Sequence, residues 1–370
     1  MKFSVLSGEL LKTLTKASSV IPIKSALPIL ENYLFEVEND NLSISATDLE
    51  ISVLSKMIVK GKEDGKIVIP AKKLDEIIRA LPVDIELNFN IDTDAKKILI
   101  KTDQAEYKLT GQDTEDYPQF PEIIDEKKIL IDSKLLQKLI NKTLFAASKD
   151  DLRPVLTGIL FHLLKNEIRV VSTDGHRLVK VVNKNFECDE EKELVLPNKA
   201  LNIVTKYIDE NFQYIAVDQT QAKFVFENSI IRTKLIEEKY PNYESVIPTE
   251  SNYTMSINKN ELLSSVTRAA IFTNNPNNLI KFSIDNGELV VSAEDTDYGM
   301  SAIEKLKCEF DYSKFEIGFN AAYVIDILNH LDSDEVSFFL TSPNRAATVM
   351  PKVKDEDEDI LMLLMPLRLN

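Results

Sequence analysis

Apolar and polar positions follow two periods along the chain, and these periods occur in a fixed order. Alternating segments such as GILFHLL (158–164) are typical of half-buried strands. SKLLQKLINKTLFAAS (133–148) has a helical period, with Ser133 placed to cap the helix. PNKALNIVTKYID (197–209) is a second predicted helix. The central third is therefore predicted to hold two helices and about eight strands, in an α+β fold with the helices on one side of antiparallel sheet.

The same order of elements recurs three times along the chain. One marker is an alternating segment that ends in an acidic turn, with Asp48, Asp174 and Asp295 at matching places. Pro70, Pro197 and Asn320 form a second marker, and Tyr117 and Tyr240 a third. A period of about 120 residues is too long for a solenoid unit, so each copy is predicted to be a domain. The predicted boundaries are 1–125, 126–249 and 250–370.

Charge is distributed unevenly between predicted helices and the rest of the chain. The net charge of −16, from 44 Lys and Arg against 60 Asp and Glu, argues against nucleic-acid binding if it is spread evenly. The predicted helix regions instead carry 14 basic and 7 acidic residues. These regions are 8–24, 71–80, 133–149, 198–210, 259–270 and 320–331. A basic surface on an acidic body suits phosphate contact, although an ordinary solvated helix face explains any single helix equally well.

Helix 133–149 has the clearest basic face. Lys134, Lys138, Lys142 and Lys149 fall within an arc of about 80° at 100° per residue. No zinc finger, helix-turn-helix or aromatic RNA-binding motif accompanies these lysines, so the expected contacts are to phosphates without base recognition.

Several function classes find no support in the sequence. No apolar run reaches the roughly 18 residues needed to span a bilayer, and the N-terminus does not resemble a signal peptide. Cys188 and Cys308 are isolated, which with these features predicts a cytoplasmic protein. The three histidines have no metal spacing, so neither a metal nor a cofactor is expected.

Two rival functions remain open at this stage. The first is a hydrolase that uses His176, although Ser172, Asp174 and His176 are too close along one turn to converge as a catalytic triad. The second is a monomeric protein-binding scaffold of three repeated domains. Asp-Gly between alternating segments predicts a hairpin at 173–178 instead of an active site.

Four motifs spread over the whole chain carry a family resemblance: LPIL (27–30), TDGHRL (173–178), YPNYESVIP (240–248) and MPLRL (365–369). They resemble the bacterial DNA polymerase III beta subunit family, the sliding clamps. The resemblance implies a non-catalytic processivity factor whose two chains join head to tail into a ring. Helices would line the hole and surround duplex DNA without sequence preference.

The resemblance also implies a pocket for short hydrophobic peptides of the polymerase, the clamp loader and repair proteins. Its residues would be Arg153, Leu156, Thr173, Gly175, His176, Arg177, Leu178, Pro241, Val246, Tyr323, Leu363, Met365, Pro366, Leu367 and Arg368. The residues alone favour another interpretation, in which Leu156 and Leu178 are core residues and the tail is an ordinary last strand.

Basic residues from the helices and from the resemblance form the predicted DNA-binding set. The set is Lys12, Lys16, Lys24, Lys73, Arg79, Lys134, Lys138, Lys142, Lys149, Lys199 and Arg268. The implied dimer contact joins the strand 106–111 to the helix end 268–274, with Tyr107, Leu109, Ile271 and Phe272 at its centre. Gln104 and Glu106 stand where related clamps carry basic residues, which leaves the charges of this contact unassigned.

Overall fold

Each third of the chain repeats one order of elements: a strand, a helix, a run of strands, a second helix and three closing strands. The computed structural model describes residues 1–119, 127–273, 277–353 and 355–369. The elements of the first third are β1 (Lys2–Leu6), α1 (Ser7–Ala17), β2 (Asn32–Glu38), β3 (Asn41–Thr47), β4 (Ile51–Ile58), β5 (Lys60–Glu63), β6 (Gly65–Pro70), α2 (Ala71–Arg79), β7 (Glu86–Asp92), β8 (Lys97–Lys101) and β9 (Glu106–Thr110).

The central third repeats this order without a counterpart of β5. Its elements are β10 (Lys127–Ile129), α3 (Ser133–Thr143), β11 (Gly158–Leu164), β12 (Glu167–Thr173), β13 (Arg177–Asn183), β14 (Lys192–Pro197), α4 (Asn198–Val204), β15 (Phe212–Val217), β16 (Gln221–Phe226) and β17 (Ser229–Lys234).

The last third has the same order again. Its elements are β18 (Tyr253–Asn258), α5 (Lys259–Ala270), β19 (Leu279–Asp285), β20 (Glu288–Asp295), β21 (Met300–Lys307), β22 (Phe315–Asn320), α6 (Ala321–Asn329), β23 (Glu335–Leu340), β24 (Ala347–Pro351) and β25 (Glu358–Leu364). The predicted α+β fold of three repeated domains, each with two helices and antiparallel sheet, is confirmed.

The repeat extends to single side chains. The carboxylates of Asp48, Asp174 and Asp295 each accept hydrogen bonds from the backbone N–H groups two and three residues further on. This is the Asx turn through which aspartate replaces a backbone acceptor in a tight reversal. The acidic turn predicted at these places is therefore present in all three copies.

The first helix of each third packs on sheet through the same positions. Leu10 and Leu14 of α1 are fully buried, as are Leu136 and Ile140 of α3. In α5 the corresponding residues, Leu262 and Val266, are also fully buried. Residues four apart lie on one face of a helix, which explains why an apolar pair at this spacing directs each helix onto the sheet.

Two predicted helices end earlier than expected. The helix predicted over 133–148 ends at Thr143, and Leu144–Ala146 forms a 3-10 turn. The Thr143 hydroxyl donates to the Leu139 carbonyl at 2.7 Å, a bond by which threonine competes with regular helix. The second helix of the central third ends at Val204 instead of continuing to residue 209.

The strands form four antiparallel sheets, two of which combine strands from neighbouring thirds. The sheet orders are β5-β1-β7-β8-β9, β10-β15-β16-β17-β4-β3-β2-β6, β14-β11-β12-β13-β25-β24-β23-β18 and β21-β20-β19-β22. In the two eight-stranded sheets the thirds join at β17·β4 and at β13·β25. Continuous sheet across neighbouring thirds is therefore part of the fold.

Two compact units result from this arrangement. One comprises residues 1–137 with 199–235, and the other comprises 138–198 with 236–370. The central third contributes to both because its two sheets belong to different neighbours. The predicted boundary at 125/126 lies outside the described residues, and the boundary at 249/250 stays a prediction. In the part of the chain described, no helix is both long and apolar enough to cross a membrane.

Candidate functional site

The turn between β12 and β13 presents His176 on a rigid hairpin. The carboxylate of Asp174 accepts from the N–H groups of His176 and Arg177, both at 2.9 Å. Gly175 has φ +87°, a left-handed conformation that glycine adopts without steric cost. Its N–H donates to the Thr173 hydroxyl at 3.0 Å. The hairpin predicted from the Asp-Gly pair is present, and His176 at its end is exposed.

Arg177 fixes this hairpin to α6. The residue is 8% exposed, and its guanidinium pairs with Asp174 at 3.1 Å and hydrogen bonds to Asp326 of α6. It also donates to the Phe145 carbonyl at 2.8 Å, and its centre lies 4.7 Å from the ring of Tyr323. Two carboxylates and an aromatic face offset the desolvation of this buried cation. The result is a fixed wall instead of a mobile side chain.

A cavity of about 620 Å³ opens beside this wall. It is lined by Ala147, Ser148, Lys149, Asp150, Arg153, Leu156, Asp174, His176, Arg177 and Tyr323. Arg153, Leu156, His176, Arg177 and Tyr323 were all predicted for the peptide pocket. The rings of His176 and Tyr323 lie 6.1 Å apart with 21° between their planes. Burial and the neighbouring charge of Asp174 raise the pKa of Tyr323, so its hydroxyl stays protonated.

An apolar cluster forms the base of the same region. It comprises Val155, Leu156, Leu160, Val171, Leu178, Val195, Tyr240, Tyr243, Ala346 and Leu363. Leu178 and Leu363 lie directly opposite each other at the joint β13·β25 and are each 2% exposed. Leu156 and Leu178 are therefore core residues, as the alternative interpretation expects, and Leu363 is buried with them. Val246 and Met365, two apolar members of the predicted pocket, are 52% and 42% exposed.

The C-terminal tail is anchored at two points. The Met365 N–H donates to the His176 carbonyl, and the Leu367 N–H donates to the Gly318 carbonyl, both at 2.8 Å. A Cβ atom at residue 318 would lie 2.8 Å from the Leu367 carbonyl oxygen, so glycine permits this crossing. Met365 thus lies beside the hairpin, whereas Leu367 lies against β22. Pro241 and Arg368 are exposed and Pro366 is half-buried.

The structure divides the predicted DNA-binding side chains into two groups. Five are exposed and have no ion pair with any described carboxylate: Lys12, Lys24, Arg79, Lys134 and Lys149. Six form ion pairs within the chain: Lys16 with Glu210, Lys73 with Glu76, Lys138 and Lys142 with Glu358, Lys199 with Asp48 and Arg268 with Glu304. In the first group, no described carboxylate neutralises the charge.

Lys142 and Lys149 do not occupy the exposed helix face expected of them. Lys142 is 7% exposed and pairs with the buried Glu358 at 2.7 Å. Lys149 lies beyond the end of α3 and lines the cavity. The helix-face prediction fails for Lys142 because its side chain turns inward to pair with Glu358, which is 216 residues away in the sequence. It fails for Lys149 because α3 ends at Thr143.

One end strand of the five-stranded sheet, β9, and one end strand of the four-stranded sheet, β21, each have a free edge. Among the described strands, β9 pairs only with β8, and β21 pairs only with β20. Tyr107 and Leu109 of β9 are half-buried, Phe272 is half-buried and Ile271 is 73% exposed. Ile303 of β21, 69% exposed, is not among the residues predicted for this contact, although an isoleucine in an alternating strand was the available signal.

The geometry does not support the hydrolase alternative at His176. The Ser172 hydroxyl is buried and donates to the Thr143 carbonyl at 2.5 Å, away from His176. Nucleophilic catalysis needs the serine hydroxyl directed at its base. Over the described ranges, no three His, Cys, Asp or Glu side chains are grouped to hold a metal ion.

Comparison with known proteins gives full-length matches. Three family models cover the chain: DNA polymerase III beta subunit, N-terminal domain (residues 1–121), central domain (130–242) and C-terminal domain (244–368). The beta sliding clamp of Chlamydia pneumoniae is 30% identical over 377 residues, and that of Bacillus subtilis is 28% identical over 384 residues, each covering both chains completely.

Solved structures agree with these matches. A sliding clamp from Pseudomonas aeruginosa bound to griselimycin is 28% identical with a TM-score of 0.92. One from Bartonella birtlesii bound to griselimycin is 28% identical with a TM-score of 0.93. Both comparisons cover 100% of each chain.

Proposed function

The chain belongs to the DNA polymerase III beta subunit family, and from its function as a sliding clamp we propose that two copies close into a ring around duplex DNA. It is a non-catalytic accessory subunit of a DNA polymerase, a processivity factor in replication. We propose that the protein acts in the cytoplasm.

One observation supports the ring most strongly: the chain already contains two copies of the joint it needs. The last strand of the central third pairs with β4, and the last strand of the final third pairs with β13. The corresponding last strand of the first third is β9, and the counterpart of β4 and β13 is β21. Each has a free edge, and pairing β9 with β21 of a second copy repeats the internal joint. A head-to-tail contact that closes removes every free edge of this kind.

The internal joints also predict the register of the closing joint. Ile231 lies opposite Val53, and Met362 lies opposite Val179. Tyr107 of the first third is the counterpart of Ile231 and Met362. The cross-strand pairs that start at each of these three residues lead, strand by strand, to the same position of the first strand of that third. Ala302 is the counterpart of Val53. Ala302 pairs with Ala293, two residues before Asp295, and Val53 pairs with Ala46, two residues before Asp48. Tyr107 is therefore expected opposite Ala302 of the second copy.

The DNA-facing surface would consist of the exposed cations. Lys12, Arg79 and Lys134 lie on helices of the first and central thirds. Exposed lysines without carboxylate partners exchange readily among phosphates, so they hold DNA loosely while a closed ring prevents escape.

Partner proteins would bind at the cavity beside His176. The exposed Val246 and Met365 and the fixed wall of Arg177 and Tyr323 suit a short peptide with apolar anchors. Polymerase, clamp loader and repair proteins would each offer such a peptide, and tethering raises the polymerase's effective concentration at the primer end.

The ring is tested by mass and by topology. Light scattering should give twice the chain mass of 42.0 kDa. Chains loaded on closed circular DNA should remain bound at high salt and dissociate once the circle is cut. A strict monomer, or equal loss from circular and linear DNA, would contradict the ring.

The cavity is tested separately with an exposed residue that lines it. His176→Asp should abolish polymerase stimulation on long templates, because a carboxylate cannot take the place of the ring in an apolar contact. Ile58→Asp, a change at an apolar residue of β4 that is 71% exposed, is the control for a new surface carboxylate. Stimulation that survives His176→Asp in a normal dimer would refute peptide binding at this cavity.

A further inference from the structure

A cation at one helical position reaches across each internal joint. Lys16 is the tenth residue of α1 and pairs with Glu210 at 2.6 Å. Lys142 is the tenth residue of α3 and pairs with Asp332 at 3.1 Å. Glu210 and Asp332 both lie in the turn that follows the second helix of the next third. The same device therefore accompanies both joints inside the chain.

The tenth residue of α5, Arg268, has no next third within its own chain. It is exposed and bound instead to Glu304 of β21, with contacts of 2.9 and 2.6 Å. The first third has an acid in the corresponding turn after α2. This acid is Asp84, which is exposed and forms no ion pair within the described ranges. Within one chain, Arg268 therefore has no acid in a following third, and Asp84 has no cation from a preceding third. The two residues lie in the last and the first third, which the ring would join.

We propose that Arg268 of one chain pairs with Asp84 of a second copy at each closing joint, in the place that Lys16–Glu210 and Lys142–Asp332 hold within the chain. This inference rests on the proposed ring. It assigns the seam a charge pair that the neutral or acidic Gln104 and Glu106 do not provide, and it gives Arg268 a role other than DNA contact.

The pair also sets the orientation of the two chains. A contact between two β9 edges would give neither Asp84 an arginine partner, and one between two β21 edges would give neither Arg268 an Asp84 partner. Only head-to-tail pairing matches opposite charges. Arg268 would keep Glu304 as a second carboxylate, just as Lys142 keeps Glu358 beside Asp332.

A charge exchange across the seam tests the pair in the full-length chain. Arg268→Glu and Asp84→Arg are made singly and together, and dimer dissociation is followed by sedimentation and by subunit exchange between differently labelled dimers. Each single reversal should weaken the dimer about tenfold, because it places like charges at the seam. The double variant should recover most of this loss. Lys62→Glu, a reversal at an exposed lysine of β5 at the opposite end of the sheet from β9, should leave dissociation unchanged.

Different outcomes would contradict the Arg268–Asp84 pair alone or the ring as a whole. A wild-type dimer whose dissociation is unaffected by either reversal, or a double variant no better than the weaker single variant, overturns the pair alone. A wild-type chain that stays monomeric at micromolar concentration overturns the ring and the pair together. Thermal unfolding of each variant separates a weakened seam from a misfolded chain.

Discussion

Turn conformation explains which residues the hairpins tolerate. Leu49 has φ +78° in the hairpin between β3 and β4, and Gly175 has φ +87° in the equivalent hairpin of the central third. Side chains with a Cβ atom lose about 1 kcal/mol in this region, and glycine does not. The first hairpin therefore carries a strain that the second avoids.

Exchanging the two residue types should reverse this difference. Leu49→Gly should leave stability unchanged or raise it, and Gly175→Leu should lower it by about 1 kcal/mol. A Cβ at residue 175 would meet no atom within 4 Å, so the loss reflects backbone conformation alone. Urea unfolding measures both, and a neutral Gly175→Leu would contradict the assignment.

Asp75 predicts a pH dependence at the residue scale. Burial raises the pKa of this carboxyl, although the Tyr33 hydroxyl and Arg79 act in the opposite direction. Folding then favours the protonated form. Its contribution to stability is complete below the pKa of the unfolded chain and is lost as pH rises through the higher folded pKa.

Replacement by asparagine should reproduce this behaviour. Asp75→Asn should be at least as stable as the wild type at pH 7, because it removes a partly buried charge and keeps an oxygen for Tyr33. The advantage should shrink as the pH falls towards 4. Urea unfolding across this range checks it, and a variant that is less stable only at pH 7 would show that the charged form is favoured.

At the scale of elements, the sequence predicts types better than ends and pairings. The order of strands and helices follows from local periodicity, and the acidic turns follow from aspartate chemistry. The end of α3 at Thr143 depends on a side-chain bond that the periodicity does not show. Lys16 pairs with Glu210, which is 194 residues away in the sequence. The basic face of a helix therefore does not show which of its lysines are paired with distant carboxylates.

The pairing of α3 with β25 yields a further prediction. Lys142→Met would leave Glu358, 6% exposed, with only Lys138 as a partner, and should destabilise the chain by about 3–5 kcal/mol. Adding Glu358→Leu should recover most of the loss, because no buried charge remains unpaired. Urea unfolding of both variants tests this, and a Lys142→Met variant of normal stability would contradict the stabilising role of this pair.

At the scale of the whole molecule, five unpaired cations are expected to carry the DNA contact. Replacing Lys12, Lys24, Arg79, Lys134 and Lys149 by glutamate should weaken binding to linear duplex and flatten the dependence of affinity on salt. Lys97→Glu, at an exposed lysine of β8, is the single-site control. An unchanged salt dependence in the fivefold variant would remove these residues from the DNA surface.

The closing joint is tested most directly by cross-linking at the register it inherits from the internal joints. In a chain with Cys188 and Cys308 replaced by serine, Tyr107→Cys with Ala302→Cys should oxidise to a covalent dimer of twice 42.0 kDa. Directly opposed residues of antiparallel strands lie about 4.5–5.5 Å apart, within disulfide reach. Tyr107→Cys with Ser301→Cys places the thiols on opposite faces of the sheet and should cross-link poorly. Equal cross-linking of both pairs, or of neither, would contradict the ring proposed for this chain.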